Sequence, residues 1–490
     1  MELERLLVQA DIDLAAALRA IDANGQGLVF VVDAGRQLLG VVTDGDARRA
    51  LMAGRHLTTP VVEVMNPRPA SMPVESPTGD VLTRLRRRGG IGGFTHLPLL
   101  DANGRVVDYA SVFRAHRVPI AAPELSGNEL SYVVDCIRTG WISSQGSYIR
   151  DFESAFAAFC GAPHAVAVSN GTVALHLALV TLGVGPGDEV IVPDFTFAAS
   201  INAVLHAGAT PVIVDVDRDT WTIDPARVAA AVTAKTTAIM PVHLYGQPCS
   251  MDALEEIART HDLWILEDCA EALGSSYRGR RVGTLGDAAA FSFFGNKTIT
   301  TGEGGMLVFT DGELASRARR LRDHGMSPQR RYWHEEVGFN YRMTNLQGAI
   351  GLAQIERIDD FLLRKRRLSA AYDAALADVS GIAVRQPPDW SDSVCWLYSC
   401  LVEPAAPLTR DELIERLQLA GIESRPVFYP LHEMPPYQRF STGASLPVTT
   451  DISRRAISLP SAVGMREEDQ AAVAQAVRGI LSLRRLVPSA

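Results

Sequence analysis

At 490 residues the chain exceeds what one hydrophobic core usually organises, so two or three domains are expected. With 47% apolar and 21% charged residues and no low-complexity tract, it has the composition of a folded globular protein and not of a disordered one. Its 47 basic and 56 acidic residues give a formal charge of −9, which argues against a broad electrostatic footprint for nucleic acid or anionic lipid.

Residues 1–118 contain two runs, GLVFVVDAGRQLLGVVTDGD and THLPLLDANGRVVDYASVF. Each reads as an apolar strand, a turn of the DAG or DANG type and a second apolar strand, so the pair forms an internal repeat of hairpins. Between them lie a helical stretch around Asp46 to Ala53, the proline-marked MNPRPASMPVESP and a helical GDVLTRLRRRGG. The pattern predicts an α+β domain that ends near RVPIAAPELSGNE. From about residue 126, short β-branched runs (AVAVS, EVIVPD, TPVIVDVD, TAIMPVH, LWILED) alternate with helical segments such as TVALHLALVTLG and MDALEEIARTHD. That alternation predicts an α/β domain over 119–360, a mostly parallel sheet with helices on both faces. After the long helical stretch LQGAIGLAQIERIDDFLLRKRRLSAAYDAAL, residues 361–490 are expected to form a smaller α+β domain.

The six cysteines show neither CxxC nor Cys/His ligand spacing, so no metal site or disulfide framework is signalled and a cytoplasmic setting is expected. The N-terminal MELERLLVQADIDL carries acids where a secretory signal would be basic, and no apolar run approaches the roughly 18 residues of a membrane span.

Four short stretches carry chemistry. SNGTVALHLAL follows a strand and opens a helix, so the N–H groups near Gly171 and Thr172 would converge on an anion; an ordinary N-cap by Ser169 or Asn170 is the plain alternative. LWILEDCAEALGS puts Asp268 at the carboxyl end of a strand, where it suits a buried cation such as a protonated pyridine nitrogen, unless it merely caps a helix. Glu267 is expected on the opposite face. AAAFSFFGNKTITTGEGGMLVF places Ser292 and Lys297 between two strands, where a lysine readily loses its proton and attacks carbonyls; on its own it would read as a lysine snorkelling from a loop. PDFTFAAS puts Phe195 beyond another strand end, placed either to stack on a flat cofactor or simply to fill the core. Together they describe a phosphate grip, a stacking face, an acid for a ring nitrogen and an amine for an aldehyde.

Taken in order, SNGTVALHLAL, PDFTFAASINAVLHAGATPVIVDVD, HLYGQPCSMD, EDCAEALGS, FSFFGNKTITTGEGG and GFNYRMTNLQGAIGLAQIE resemble the DegT/StrS family of sugar aminotransferases, over about three quarters of the chain. The resemblance implies the fold type I of pyridoxal 5′-phosphate enzymes and a homodimer with its active sites at the subunit interface. It implies that Lys297 binds the cofactor covalently and shuttles protons, and that Asp268 partners the pyridine nitrogen. Phe195 matches the stacking position, and Gly171, Thr172 and Ser292 match phosphate contacts. Asn340 matches a phosphate ligand from the neighbouring subunit. Glu271 falls where the family often has Gln or His near the cofactor's 3-hydroxyl. Members that replace the lysine by histidine are dehydratases; here the lysine is present.

FSFFGNKTITTGEGG and RRYWHEEVGFNYRMTNLQGAIGLAQIERID are most similar to members that aminate C4 of GDP-4-keto-6-deoxymannose with glutamate as donor. UDP- and dTDP-linked keto sugars are the alternative substrates, and a non-catalytic nucleotide-sensing regulator is the alternative from a different class. The N-terminal repeat resembles a pair of CBS modules, in which Thr43 and Asp46 of GVVTDGDARR would meet the phosphate and ribose of an adenine nucleotide. The corresponding VVDYASVFRA lacks that pairing, which leaves at most one intact site or a purely structural module.

Overall fold

In the computed structural model the described residues are 2–76, 80–81, 84–85, 96–111, 118–441 and 445–482; most of GDVLTRLRRRGG lies outside them. The chain divides into two compact units, residues 1–119 with 415–423, and residues 120–414 with 424–490.

In the first unit the two apolar runs form the expected hairpins. Strand β1 (Leu7–Gln9) lies parallel to β2 (Leu28–Val32), which pairs antiparallel with β3 (Leu38–Thr43). Helix α1 (Leu14–Asn24) joins β1 to β2, and α2 (Asp44–Met52) follows β3. The second half repeats the arrangement, with β4 (Met72–Pro73) parallel to β5 (His96–Leu100) and β5 antiparallel to β6 (Val106–Ser111). Every residue of β2 is buried, with Phe30 and Val32 in one apolar cluster and Val29 and Val31 in another, so its unbroken LVFVV run is covered on both faces.

The second unit is built on a seven-stranded sheet. Helices α3 (Glu129–Thr139) and α4 (Ser147–Cys160) precede β7 (His164–Val168), α5 (Gly171–Thr181) and β8 (Glu189–Pro193). Then come α6 (Ala198–His206), β9 (Thr210–Val214), β10 (Thr236–Ile239), α7 (Met251–His261) and β11 (Trp264–Asp268). Strands β12 (Ala288–Ser292) and β13 (Gly305–Phe309) complete the order β7-β13-β12-β11-β10-β8-β9, with β13 antiparallel to both its neighbours and the other pairs parallel. In β7, Ala165 and Ala167 face the core that holds Phe152 and Phe156 of α4, whereas Val166 and Val168 face the one that holds Leu175 and Leu179 of α5. The sheet therefore has helices on both faces, as the strand and helix alternation predicts.

Helices α8 (Asn345–Ile355) and α9 (Ile358–Leu376) lead to a four-stranded antiparallel sheet. Its strands are β14 (Ile382–Ala383), β15 (Tyr398–Val402), β16 (Arg425–Pro426) and β17 (Ala456–Leu459), in the order β14-β15-β17-β16. Helix α10 (Glu467–Ser482) packs on α9. Among the described residues no helix is long and apolar enough to cross a membrane.

Candidate active site

Strand register gathers the chemistry at one edge of the large sheet. Ser292 at the end of β12 sits opposite Gly305, and Gly305 sits opposite Val168, so the turn after β7 lies beside the end of β12. Asp268 ends β11 one strand further along, paired with Ala290. This is the carboxyl edge of the parallel strands, where open α/β sheets bind ligands.

The turn into α5 is tightly built. Asn170 caps the helix by accepting from the N–H of Val173 over 3.0 Å, which leaves the first N–H groups of Gly171 and Thr172 without an intrahelical partner. A Cβ on Gly171 would stand 2.8 Å from the Cβ of Ser292, and one on Gly305 would stand 2.6 Å from the carbonyl oxygen of Asn170. Glycine at both positions brings the Ser292 hydroxyl against the helix N-terminus, and the result is a donor cradle for an anion. The capping reading and the phosphate reading of SNGTV are therefore compatible: the asparagine caps, and the two residues after it stay open.

Asp268 is 4% exposed and accepts from the Ser200 hydroxyl at 2.8 Å and the Ala270 N–H at 3.1 Å. Burial pushes its carboxyl up, against the pull of Ser200, the Ala270 N–H and the charge of Lys297. Glu271, one turn on, is equally buried; its carboxyl is raised by burial and drawn back by Lys297 and the Tyr245 N–H. Tyr245 donates to it over 2.9 Å, and Lys297 Nζ lies 3.5 Å from its other oxygen.

Lys297 sits on a loop whose base is fixed by Phe293, fully buried against Phe152 and Phe156. Within the loop, Thr301 N–H and the Thr300 hydroxyl both donate to the Phe293 carbonyl, and Lys297 N–H donates to the carbonyl of Phe294. The Lys297 side chain is 14% exposed, so it lies in a recess and not in bulk water. A snorkelling surface lysine does not fit this setting.

Glu267 does point to the opposite face, as strand alternation requires. Its carboxylate accepts from the N–H groups of Gly283, Leu285 and Gly286 and from His243 Nε2 at 3.0 Å. Burial works to raise this carboxyl, but His243 and the backbone donors outweigh it and hold it below its usual range. His243, Glu267 and Cys269 bring ligand-type atoms within 4.8 Å of one another. The histidine and the carboxylate are committed, however: the Cys249 N–H donates to His243 Nδ1, which makes Nε2 the protonated nitrogen that donates to Glu267. The cluster is a satisfied buried network that braces the strand beneath Asp268.

One expected site residue must be corrected. Phe195 has no exposed surface and packs edge-on to Trp221, with Tyr245 at 6.4 Å, so it has no free face for a ligand. β8 ends at Pro193, and the chain beyond turns Phe195 inward; two residues later Phe197, at the N-cap of α6, is 59% exposed and pairs with Phe428. Phe197 belongs to the same turn as Thr196 and Ser200, whose hydroxyls are 2.9 Å apart and lead to Asp268. No local signal in PDFTFAAS separates the two rings, because strand alternation ends at Pro193.

The structure brings Gly171, Thr172, Ser292, Asp268, Glu271 and Lys297 to this edge. Asn340 is exposed, and its side chain accepts from Arg342. Thr43 and Asp46 lie in the other unit and form a capping box at the start of α2: each accepts from the other's N–H, the Thr43 hydroxyl donates to Asp46, and Arg49 takes the remaining carboxylate oxygen. An incoming ribose would have to compete with these contacts.

An amine beside one buried carboxylate suits a carbonyl-bearing cofactor, and a second buried carboxylate suits a cationic ring nitrogen. With an anion cradle on the same sheet edge, they place the chain among the pyridoxal-phosphate-dependent aminotransferases. Residues 123–478 match the model of the DegT/DnrJ/EryC1/StrS aminotransferase family, and the chain belongs to that family. Residues 4–53 and 61–112 match the CBS domain.

The chain is 52% identical to GDP-perosamine synthase of Caulobacter vibrioides over 72% of its own length and 95% of that protein's. It is 45% identical to GDP-perosamine synthase of Escherichia coli O157:H7, over 74% of its length and 99% of the relative's. Among solved structures, S. venezuelae DesV superposes with a TM-score of 0.69 at 38% identity, covering 73% of this chain and 95% of that one. The PLP form of Spr1654 from Streptococcus pneumoniae gives a TM-score of 0.70 at 30% identity, covering 74% of this chain and 98% of that one.

Proposed function

We propose that this aminotransferase moves an amino group from glutamate to C4 of GDP-4-keto-6-deoxymannose, giving GDP-perosamine. The observation that carries the reading is 52% identity to a GDP-perosamine synthase along nearly all of that enzyme's length, in a chain that keeps the lysine, both carboxylates and the anion cradle. When bound, pyridoxal phosphate supplies an electron sink and a carrier for the amino group. The protein's own part is binding, orientation and proton transfer. Gly171, Thr172 and Ser292 would hold the phosphate, Asp268 the ring nitrogen, and Phe197 would offer a ring face. Lys297 would bond to the cofactor and afterwards move a proton at its amine, with Glu271 holding that amine in place. Retention of the lysine argues against the dehydratase reading, and the assembled cluster argues against a non-catalytic regulator.

The test is a matched assay with GDP-, UDP- and dTDP-linked 4-keto-6-deoxy sugars, with glutamate as donor. The GDP sugar is expected to give a kcat/KM at least about a hundredfold above the others, the scale that a few lost or unpaired hydrogen bonds produce. Preference for a dTDP or UDP sugar would overturn the substrate while leaving the reaction intact.

The working unit is proposed to be a homodimer. Leu130 and Ile137 on one face of α3, with Trp141 and Ile142 just beyond it, are all exposed in the single chain, an apolar patch of the kind that marks protein interfaces. Asn340, exposed in one chain, would complete the neighbour's phosphate site. Light scattering is expected to give twice the mass of one chain, and Leu130→Glu with Ile137→Glu is expected to produce monomers that lose cofactor and activity together. A monomer with full activity would refute the assembly. The six cysteines are all free thiols, which suits the reducing cytoplasm proposed for the protein.

A further inference from the structure

Trp396 lies just ahead of β15, 100 residues from the loop that carries Lys297, and it touches that loop twice. Its indole Nε1 donates to the carbonyl of Asn296 over 2.8 Å, and its ring centroid lies 3.8 Å from Lys297 Nζ. Tyr245, whose N–H holds Glu271, stacks on the same indole with centroids 6.0 Å apart and planes 10° from parallel. The amine thus has a carboxylate on one side and an aromatic face on another, and both are tied together through Tyr245.

The backbone of Trp396 is fixed as firmly as its ring. Its N–H donates to the Tyr245 carbonyl over 3.1 Å, and its carbonyl accepts from Lys365 Nζ at 2.9 Å. Lys365 is 1% exposed and reaches the Ser461 carbonyl as well, at 2.5 Å. Burial pulls its ammonium down to about 8, so the fold bears the cost of burying an amine at this spot. A buried indole needs a partner for its N–H in any setting, but here that partner is the residue that precedes Lys297, so the place of the ring and that of the loop are set together.

We infer that Trp396 is a positioning residue for Lys297: its ring and its N–H hold the flexible lysine stem and the loop beneath it in one arrangement, and Lys365 holds Trp396. An unconstrained lysine samples many rotamers, and displacing a reacting group by about 1 Å can cost on the order of a hundredfold in rate. The proposal rests on the reading that Lys297 bonds to the cofactor, and its test separates the two.

Cofactor-free full-length protein is mixed with pyridoxal phosphate, stopped with borohydride at intervals, and the mass added to the peptide containing Lys297 is followed. Wild type should be labelled at Lys297; labelling elsewhere would overturn the underlying reading and this proposal with it, whereas correct labelling leaves the proposal to be decided by the variants. Trp396→Leu is expected to attach cofactor about tenfold more slowly and to lose kcat about tenfold, with the sugar's KM changed less than about twofold. Trp396→Phe keeps an aromatic face but loses the N–H and the five-membered ring, so it should recover most of the rate. If Trp396→Leu shows a normal thermal transition and attaches cofactor at the wild-type rate, the proposal is overturned. If it fails to fold, Trp396→Phe decides: a rate about two- to threefold below wild type supports the proposal, and an unchanged rate overturns it.

Discussion

Lys297→Ala is expected to abolish transamination, with kcat reduced by about a thousandfold or more and the visible absorbance of covalently held cofactor lost. The amine is the group that forms the bond, and alanine leaves nothing on that loop to replace it. The fold should survive, because the side chain's contacts are one 3.5 Å approach to Glu271 and one ring face, while the loop itself hangs on backbone bonds and on buried Phe293. Glu271, already raised by burial, loses the charge that draws it down and should be protonated more readily in the variant. Steady-state assay, absorbance and thermal melting on the same sample give the answer. A variant that transaminates near the wild-type rate would remove Lys297 from the mechanism.

Asp268→Asn should cost at least about a hundredfold in kcat/KM while leaving the protein as stable as before or more so. The asparagine is nearly isosteric, and with its one oxygen accepting from the Ala270 N–H and its NH2 donating to the Ser200 hydroxyl both local contacts are kept, but the charge that would keep a ring nitrogen protonated is gone. The stability side has a definite sign. Burial raises the folded-state carboxyl above its unfolded value, so the folded protein holds its proton to higher pH than the unfolded chain does. The buried charge therefore destabilises the cofactor-free wild type above the carboxylate range, and that handicap fades as the pH falls and Asp268 becomes protonated. Denaturation of wild type and variant across pH should show asparagine ahead at neutral pH and level at low pH. Equal activity in the two proteins would show that the charge plays no part in catalysis.

The strand-end positions of Asp268, Ser292 and the turn at 170–172, and the loop position of Lys297 after Ser292, were legible because the apolar run of each strand is unmistakable and a strand end in a parallel sheet has a known orientation. The N-terminal hairpins were legible for the same local reason, a turn flanked by two apolar runs. Phe195 failed where that locality stops. Beyond Pro193 the chain leaves the strand, alternation no longer says which way a ring points, and Phe195 turned inward while Phe197 turned out.

What the sequence determined by itself was the set of strand-end motifs, the class of fold they imply and the cofactor chemistry they suit, since each depends on neighbours within a few residues. Only the tertiary structure decided which side chains surround the amine of Lys297. Strand order put Ser292, Gly305 and Val168 side by side, and the chain 100 residues on from Asn296 placed Trp396 against Lys297, with Lys365 behind it. Such contacts join segments with no shared periodicity or spacing, and their energy comes from packing that exists only after the sheet has closed over its two cores, so no local pattern along the chain records them.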